Sequence, residues 1–214
     1  MKGLFKSFFS SKNKDVAVRE LNHPRDLLQG DIIKFGFMPQ AELSNKQFQV
    51  ATVNTYDFKD RHLTEFALSG DAVERIYLIV DESDDDAFLS LSRKVKRNLV
   101  EQLFDLDEFA LLFDSEQDRE LTRLQEPAEL KNWTAAHYIQ EVYAERGYFH
   151  KGDYRNKTLP QNEDDGENFD YYVAIDNSRQ FVVEAEVYDG GETDVLITIR
   201  RPLRDIEEMW PKQQ

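Results

Sequence analysis

The residues best able to do chemistry in this chain are its acids. Asp81-Glu82-Ser83-Asp84-Asp85-Asp86 places five carboxylates within six residues, directly after a strand-like run. Clustered carboxylates are hard oxygen ligands suited to Ca²⁺ or Mg²⁺, so Asp81, Asp84, Asp85 and Asp86 are the candidate metal ligands. The EF-hand pattern is not met: the sixth loop position is not Gly, and the twelfth is Ser92 rather than Glu. Without ligand spacing, a run of acids reads first as a solvated turn. The same holds for Asn162-Glu163-Asp164-Asp165-Gly166-Glu167.

The four histidines, His23, His62, His137 and His150, are scattered. None stands in His-Glu-x-x-His, and no pair has zinc-site spacing. His137 beside Tyr138 and His150 beside Phe149 read as partly buried packing residues. No Ser lies in Gly-x-Ser-x-Gly, and neither glycine-rich phosphate cradle is present. With no Cys at all, thiol nucleophiles, zinc-thiolate sites, iron–sulfur clusters and disulfides are excluded. One further pair remains. Glu184 and Glu186 share a strand face, and Arg200-Arg201 end the next strand. Cross-strand charge pairing would be ordinary sheet stabilisation, whereas a Glu pair at i, i+2 in a cleft could serve as acid and base. No recognisable reactive centre emerges, no cofactor is implied, and the pattern points away from an enzyme.

The elements that must position these residues are mostly strands. Tyr171 to Ile199 reads as a three-stranded meander: Tyr171–Ile175, Phe181–Tyr188 and Asp194–Ile199. Phe181, Val183, Ala185 and Val187 face one way and the two glutamates the other, so the meander has one dry face in need of a cover. Asn177 and Gly190-Gly191 are the expected positive-φ turn positions. Strand-like runs also span Gly30–Phe35, Phe48–Tyr56, Leu63–Leu68, Ala72–Val80 and Ala87–Leu91, and these offer the cover. Val95, Leu99, Leu103 and Leu106 predict a helix within 93–113, broken near Asp105-Leu106-Asp107. Residues 115–125 read as a surface helix or loop, and 132–147 as either helix or strand. Residues 152–166 read as a long polar loop, and 205–209 as a closing turn.

Composition adds a charge asymmetry. The net charge is −15, with 40% hydrophobic and 12% aromatic residues, enough for a core. An acidic surface repels phosphate backbones, so nucleic acid is not an expected partner. Residues 1–14 carry four lysines and no acid, which leaves −19 on the remainder of the −15 total. Within them Leu4, Phe5, Phe8 and Phe9 fall on one face of a short helix, flanked by Lys2 and Lys6. Such a basic amphipathic tail suits an anionic membrane surface or a groove on a protein partner. No apolar run approaches the ~20 residues of a membrane span, and no signal-peptide core precedes a cleavage site. Expected localisation is cytoplasmic, peripheral to a membrane at most.

Gly30-Asp31-Ile32-Ile33 with Phe48-Gln49-Val50, and Tyr171-Tyr172-Val173 through Val182-Val183-Glu184-Ala185-Glu186 to Pro202-Leu203-Arg204-Asp205-Ile206, resemble an uncharacterised bacterial family, the YjfK-like proteins and related domains of unknown function. The resemblance covers most of the chain past residue 25. It implies a cytosolic β-rich protein associated with phage-shock-protein-A-like membrane-stress operons, carries over no catalytic residues, and favours a strand for His137–Ala144. The expected fold is α+β, mainly antiparallel β, a sheet or open barrel with a few helices. The expected organisation is a tail (1–14) and one β-rich domain (15–214), with a possible subdivision near 115–130. The leading function is a non-enzymatic accessory protein of a membrane-associated complex. The alternatives are a carboxylate-based metal or enzymatic module and a small-ligand-binding barrel.

Overall fold

The structure, a computed structural model, describes residues 19–70, 75–82, 87–114, 119–160 and 166–212. The basic tail lies outside them. Eleven strands run through the described residues: β1 (Ile32–Phe35), β2 (Gln47–Phe58), β3 (His62–Ser69), β4 (Ile76–Glu82), β5 (Ala87–Val95), β6 (Glu120–Thr122), β7 (His137–His150), β8 (Glu167–Ile175), β9 (Phe181–Tyr188), β10 (Thr193–Pro202) and β11 (Ile206–Trp210). All pairings are antiparallel, in the order β11-β1-β2-β3-β4-β5-β10-β9-β8-β7-β6. A further pairing of β2 with β7, from Thr55↔His150 to Phe58↔Gly147, closes the sheet on itself. The result is a closed barrel of eight strands, two four-stranded meanders (β2–β5 and β7–β10) joined edge to edge. The expected α+β, mainly antiparallel fold is therefore present, closed rather than open.

Closure is possible because two strands change partners along their length. The first residues of β2 bond to β1 and its last four to β7. The first residues of β7 bond to β6 and its last four to β2. Register shifts between Gln140/Val142 and Val142/Glu145, with Ala144 at φ 48°, bend β7 across the gap. Gly147 sits where it must: a Cβ there would lie 2.6 Å from Phe169 Cζ and 2.8 Å from Phe58 Cε1.

The polarity of the barrel corrects the expected cover. The aliphatic face of β9 and β10, with Val183, Ile197 and Ile199, points outward. It joins one continuous cluster with Phe66, Leu78 and Leu91, with Phe35 and Phe48, and with Leu99, Leu103 and Trp133. Residues 30–91 are thus not a lid on the C-terminal meander but the other half of its barrel. The helices, the β1–β11 pair and the 124–136 connector supply the outer layer. Among the described residues no helix is long and apolar enough to cross a membrane.

Several local readings change with the tertiary context. The helical stretch is α1 (Arg97–Leu103) and α2 (Leu106–Ala110), since residues 93–95 stay in β5. The break at Asp105 is a cap: its carboxylate accepts from the backbone N–H of Asp107 (2.9 Å) and Glu108 (3.1 Å). Asp105→Ala is expected to destabilise the fold by about 0.5–2 kcal/mol in urea unfolding. His137–His150 is a strand, and residues 120–122 form β6 rather than a helix or loop. Residues 205–209, expected as a closing turn, belong mostly to strand β11, which pairs with β1 after a short 3-10 segment (Leu203–Asp205). In the 176–179 turn the positive φ falls on Arg179 (60°), not Asn177. Asp176 organises it by accepting from the N–H groups of Ser178 (2.9 Å) and Phe181 (2.8 Å).

Candidate functional site

In a closed barrel every second residue of each strand faces the lumen. Here those positions are mixed. Carboxyls and phenols share the interior with Leu63, Ile79 and Leu196, and Val173, Ile175 and Val182 cluster with Tyr171 on the same faces. The lumen is plugged at the end of the β2–β3 turn. Phe169, fully buried, packs its ring 5.7 Å from Tyr56, 5.9 Å from Phe58 and 5.6 Å from Tyr188. Phe58 also meets Tyr171 at 5.4 Å. The Arg61 guanidinium lies 4.3 Å from the Phe58 ring centre and holds Glu145 through two bonds of 2.6 and 2.7 Å.

Above this plug lies a layer of carboxyls and phenols. Glu65 on β3 accepts from Asn54 Nδ2 at 2.9 Å, and the Tyr56 hydroxyl donates to its Oε2 at 3.4 Å. Glu186 on β9 accepts from the Tyr188 hydroxyl at 2.7 Å, and Glu184 from the Tyr171 hydroxyl. β3 and β9 stand on opposite sides of the barrel, so Glu65 and Glu186 approach across the lumen with Tyr56 interacting with both. Beyond them the lumen opens into a cavity of about 830 Å³. Tyr77, Phe149 and Leu196 line its wall. Two ion pairs, Lys94–Asp194 and Lys151–Glu167 (2.7 Å), stand near its mouth with Arg75 and Lys157.

Burial controls the charge of this layer. It pushes Glu65 up to about 7, with Glu184 adding in the same direction, against the hydrogen bonds from Asn54 and Tyr56 and the charge of Lys94. It pushes Glu186 up to about 7 as well, with Glu65 and Glu184 adding to it. The phenols of Tyr56, Tyr171 and Tyr188 are raised by burial and then by the neighbouring carboxyls. Burial lowers Lys94, but its bond to Asp194 together with the charges of Asp194, Tyr77 and Glu186 holds the ammonium above its usual range.

A pH dependence of stability follows. Glu65 and Glu186 bind protons more tightly folded than unfolded, so between about pH 4.5 and 7 the unfolded chain carries fewer protons. Stability is full below that window, falls as pH rises through it, and is level above. The loss is on the order of 3 kcal/mol per group at most. Urea unfolding at about pH 5 and about pH 8 measures the fall. Glu65→Gln or Glu186→Gln is expected to flatten it. An unchanged slope in both variants would mean that other groups produce it.

The structure treats the residues singled out from sequence unevenly. Glu184 and Glu186 are brought into a shared enclosed site. Their cross-strand neighbours on β10 are Leu196 and Asp194, not the arginines. Arg201 bonds Asp205 at 2.6 Å, and Arg200 lies over Phe88 at 5.0 Å, so the expected Glu–Arg pairing does not form. Asp81 is on β4 opposite Phe88. Asp84, Asp85 and Asp86 lie outside the described residues, as do residues 161–165 and the proposed docking residues Lys2, Leu4, Phe5, Lys6, Phe8 and Phe9. Among the described residues no group of three or more His, Asp or Glu is placed to hold a metal ion. His62 pairs with Asp57 at 2.8 Å. His150 is a packing residue, 3% exposed, with its ring 5.8 Å from Tyr154.

Glu65, Tyr56, Lys94 and Tyr188 escape a reading by motif because their convergence is between strands distant in the chain. The usable signal was the polar and aromatic alternation opposite each aliphatic face. Two other cavities are less suited to chemistry. One of about 450 Å³ lies between the helices and the ends of β5 and β10 and is largely apolar, with Val100, Phe109, Phe113 and Val195. One of about 560 Å³ lies outside the barrel by His62, Tyr154 and Arg155. No family model, curated protein or solved structure matches the chain.

Proposed function

We propose that this chain is a small-ligand-binding barrel whose ligand enters the lumen and rests on the Glu65–Tyr56–Glu186 layer. The observation that carries the reading is the cavity of about 830 Å³, closed below by aromatic rings and lined by convergent polar groups from seven strands. Ligand sites are typically concave, largely pre-formed, and supplied with a few placed polar groups. A barrel built only for stability would fill its lumen with aliphatic side chains. This one sets Glu65, Glu184 and Glu186 among its lumen side chains, beside Leu63, Ile79 and Leu196. The accessory-protein reading draws on residues 1–14, and the carboxylate metal reading on Asp81, Asp84, Asp85 and Asp86, of which only Asp81 lies among the described residues.

The test is a thermal-shift survey with small polar metabolites grouped as cations, anions, zwitterions and neutral polyols. At least one group is expected to raise the melting temperature, since a ligand binding only the folded state stabilises it by mass action. Thr52→Trp, which sets an indole at an exposed position lining the mouth, is expected to abolish the shift. No shift with any group, or a shift that persists in the variant, would overturn the reading.

A further inference from the structure

We propose that the ligand of this lumen is a small organic cation whose positive centre sits between Glu65 and Glu186. The inference rests on the ligand-binding reading and adds the chemical class to it. The cavity is the starting point, and the imbalance of its lining sets the class. Lys94 on β5 is hydrogen-bonded to Asp194 on β10, and Lys151 is bonded to Glu167, so the cations facing the mouth from these strands are already paired. Arg75, just ahead of β4, and Lys157, in the 151–160 connector, stand at the mouth rather than in its depth. Deeper in, Glu65, Glu184 and Glu186 meet only neutral donors: the Asn54 amide and the hydroxyls of Tyr56, Tyr171 and Tyr188. Among the described residues no Arg or Lys is hydrogen-bonded to any of the three.

Glu65 and Glu186 line the cavity and Glu184 a small gap beside it. Lys94, the ammonium whose charge reaches Glu65 and Glu186, is itself bonded to Asp194. The group therefore disfavours an anion and leaves buried negative charge largely uncompensated unless the carboxyls keep their protons. A cation supplies the missing partner. The walls suit it as well, because Tyr56, Tyr77, Phe149 and Tyr188 surround the cavity and aromatic faces attract cations. A bare metal ion is a poorer occupant, since no group of three or more ligating side chains is assembled among the described residues. An organic ammonium uses both the acceptors and the rings. Its arrival would drive Glu65 and Glu186 to ionise, with the displaced protons passing to solvent.

The experiment is isothermal titration calorimetry of the full chain at about pH 7 with three probes of similar size: n-butylammonium, n-butanol and butyrate. Each is run in phosphate and in PIPES, which differ in heat of ionisation and are both net anionic, so neither buffer competes as a cation. The cation is expected to bind at least about tenfold more tightly than the alcohol or the anion. Its apparent enthalpy is expected to differ between buffers, reporting release of up to about one proton per cation bound. The Glu65→Gln, Glu186→Gln double variant is expected to lose the preference and the proton release. If that variant does not fold, proton release in the unaltered protein decides alone. Butanol or butyrate binding as tightly as the cation, or cation binding without proton release, would overturn the charge assignment and leave the ligand-binding reading standing. Binding by none of the three probes, nor by any group of the metabolite survey, would remove both.

Discussion

Phe169→Ala is expected to destabilise the protein by about 3–5 kcal/mol, the range for removing a fully buried aromatic side chain. Phe169 is 0% exposed and its ring contacts Tyr56, Phe58, Tyr171 and Tyr188, which come from three different strands. The surrounding rings are held by barrel closure, with Phe58 paired opposite Gly147, so they cannot readily collapse into the space. Incomplete relaxation is what makes such a deletion costly. Urea unfolding would show the midpoint falling with the slope unchanged. A loss below about 1 kcal/mol would mean that the plug repacks freely. Because the same ring supports Tyr56 and Tyr188, the variant is also expected to weaken ligand binding in the lumen while still folded.

Trp133→Ala is expected to cost a comparable amount, about 3–5 kcal/mol, at a site remote from the lumen. Trp133 is fully buried on the outside of the barrel. Its indole N–H donates to Glu42 Oε1 at 2.6 Å, and the same carboxylate accepts from Arg93 at 3.0 Å. The Arg93 guanidinium stands 5.5 Å from the indole ring and also donates to the Glu129 carbonyl at 2.5 Å. The indole therefore ties the 124–136 connector and the 36–45 loop to the outer face of β5. Truncation removes its buried area and leaves Glu42 with one donor fewer. Trp133→Phe keeps most of the burial and is expected to lose about 1–2 kcal/mol, the share of the hydrogen bond. Unlike Phe169→Ala, neither change should alter ligand affinity well below the melting temperature. A change in affinity would mean that the outer layer and the lumen are coupled.

The sequence went some way toward the site and stopped for a definite reason. Glu184 and Glu186 stood out because alternation placed them on one face of a strand. Nothing local showed that Glu65, more than a hundred residues earlier, faces them across the lumen. In β2 the register shift between Val50 and Thr52 changes which residues share a face. Phe48 and Val50 point to the outer core while Asn54 and Tyr56 point inward, so strict alternation through 48–56 misassigns them. Arg200 and Arg201 lay one strand from the glutamates in the chain's order, yet β10 runs past β9 so that they sit beyond its far end.

What the residues determined by themselves was local. Period-two alternation and runs of β-formers indicated eight of the eleven described strands, leaving β7 open and missing β6 and β11. The Asp105 side chain determined where the helical stretch divides, and the absence of Cys excluded thiol chemistry. Only the tertiary structure decided which face of the sheet is inside. A strand's alternation distinguishes two faces but assigns neither to the interior. That choice depends on whether the aliphatic face finds its cover outside the barrel, and on the bulged, glycine-bearing β7 reaching β2 to close it. Both are contacts between segments far apart in sequence, where no local pattern records the outcome.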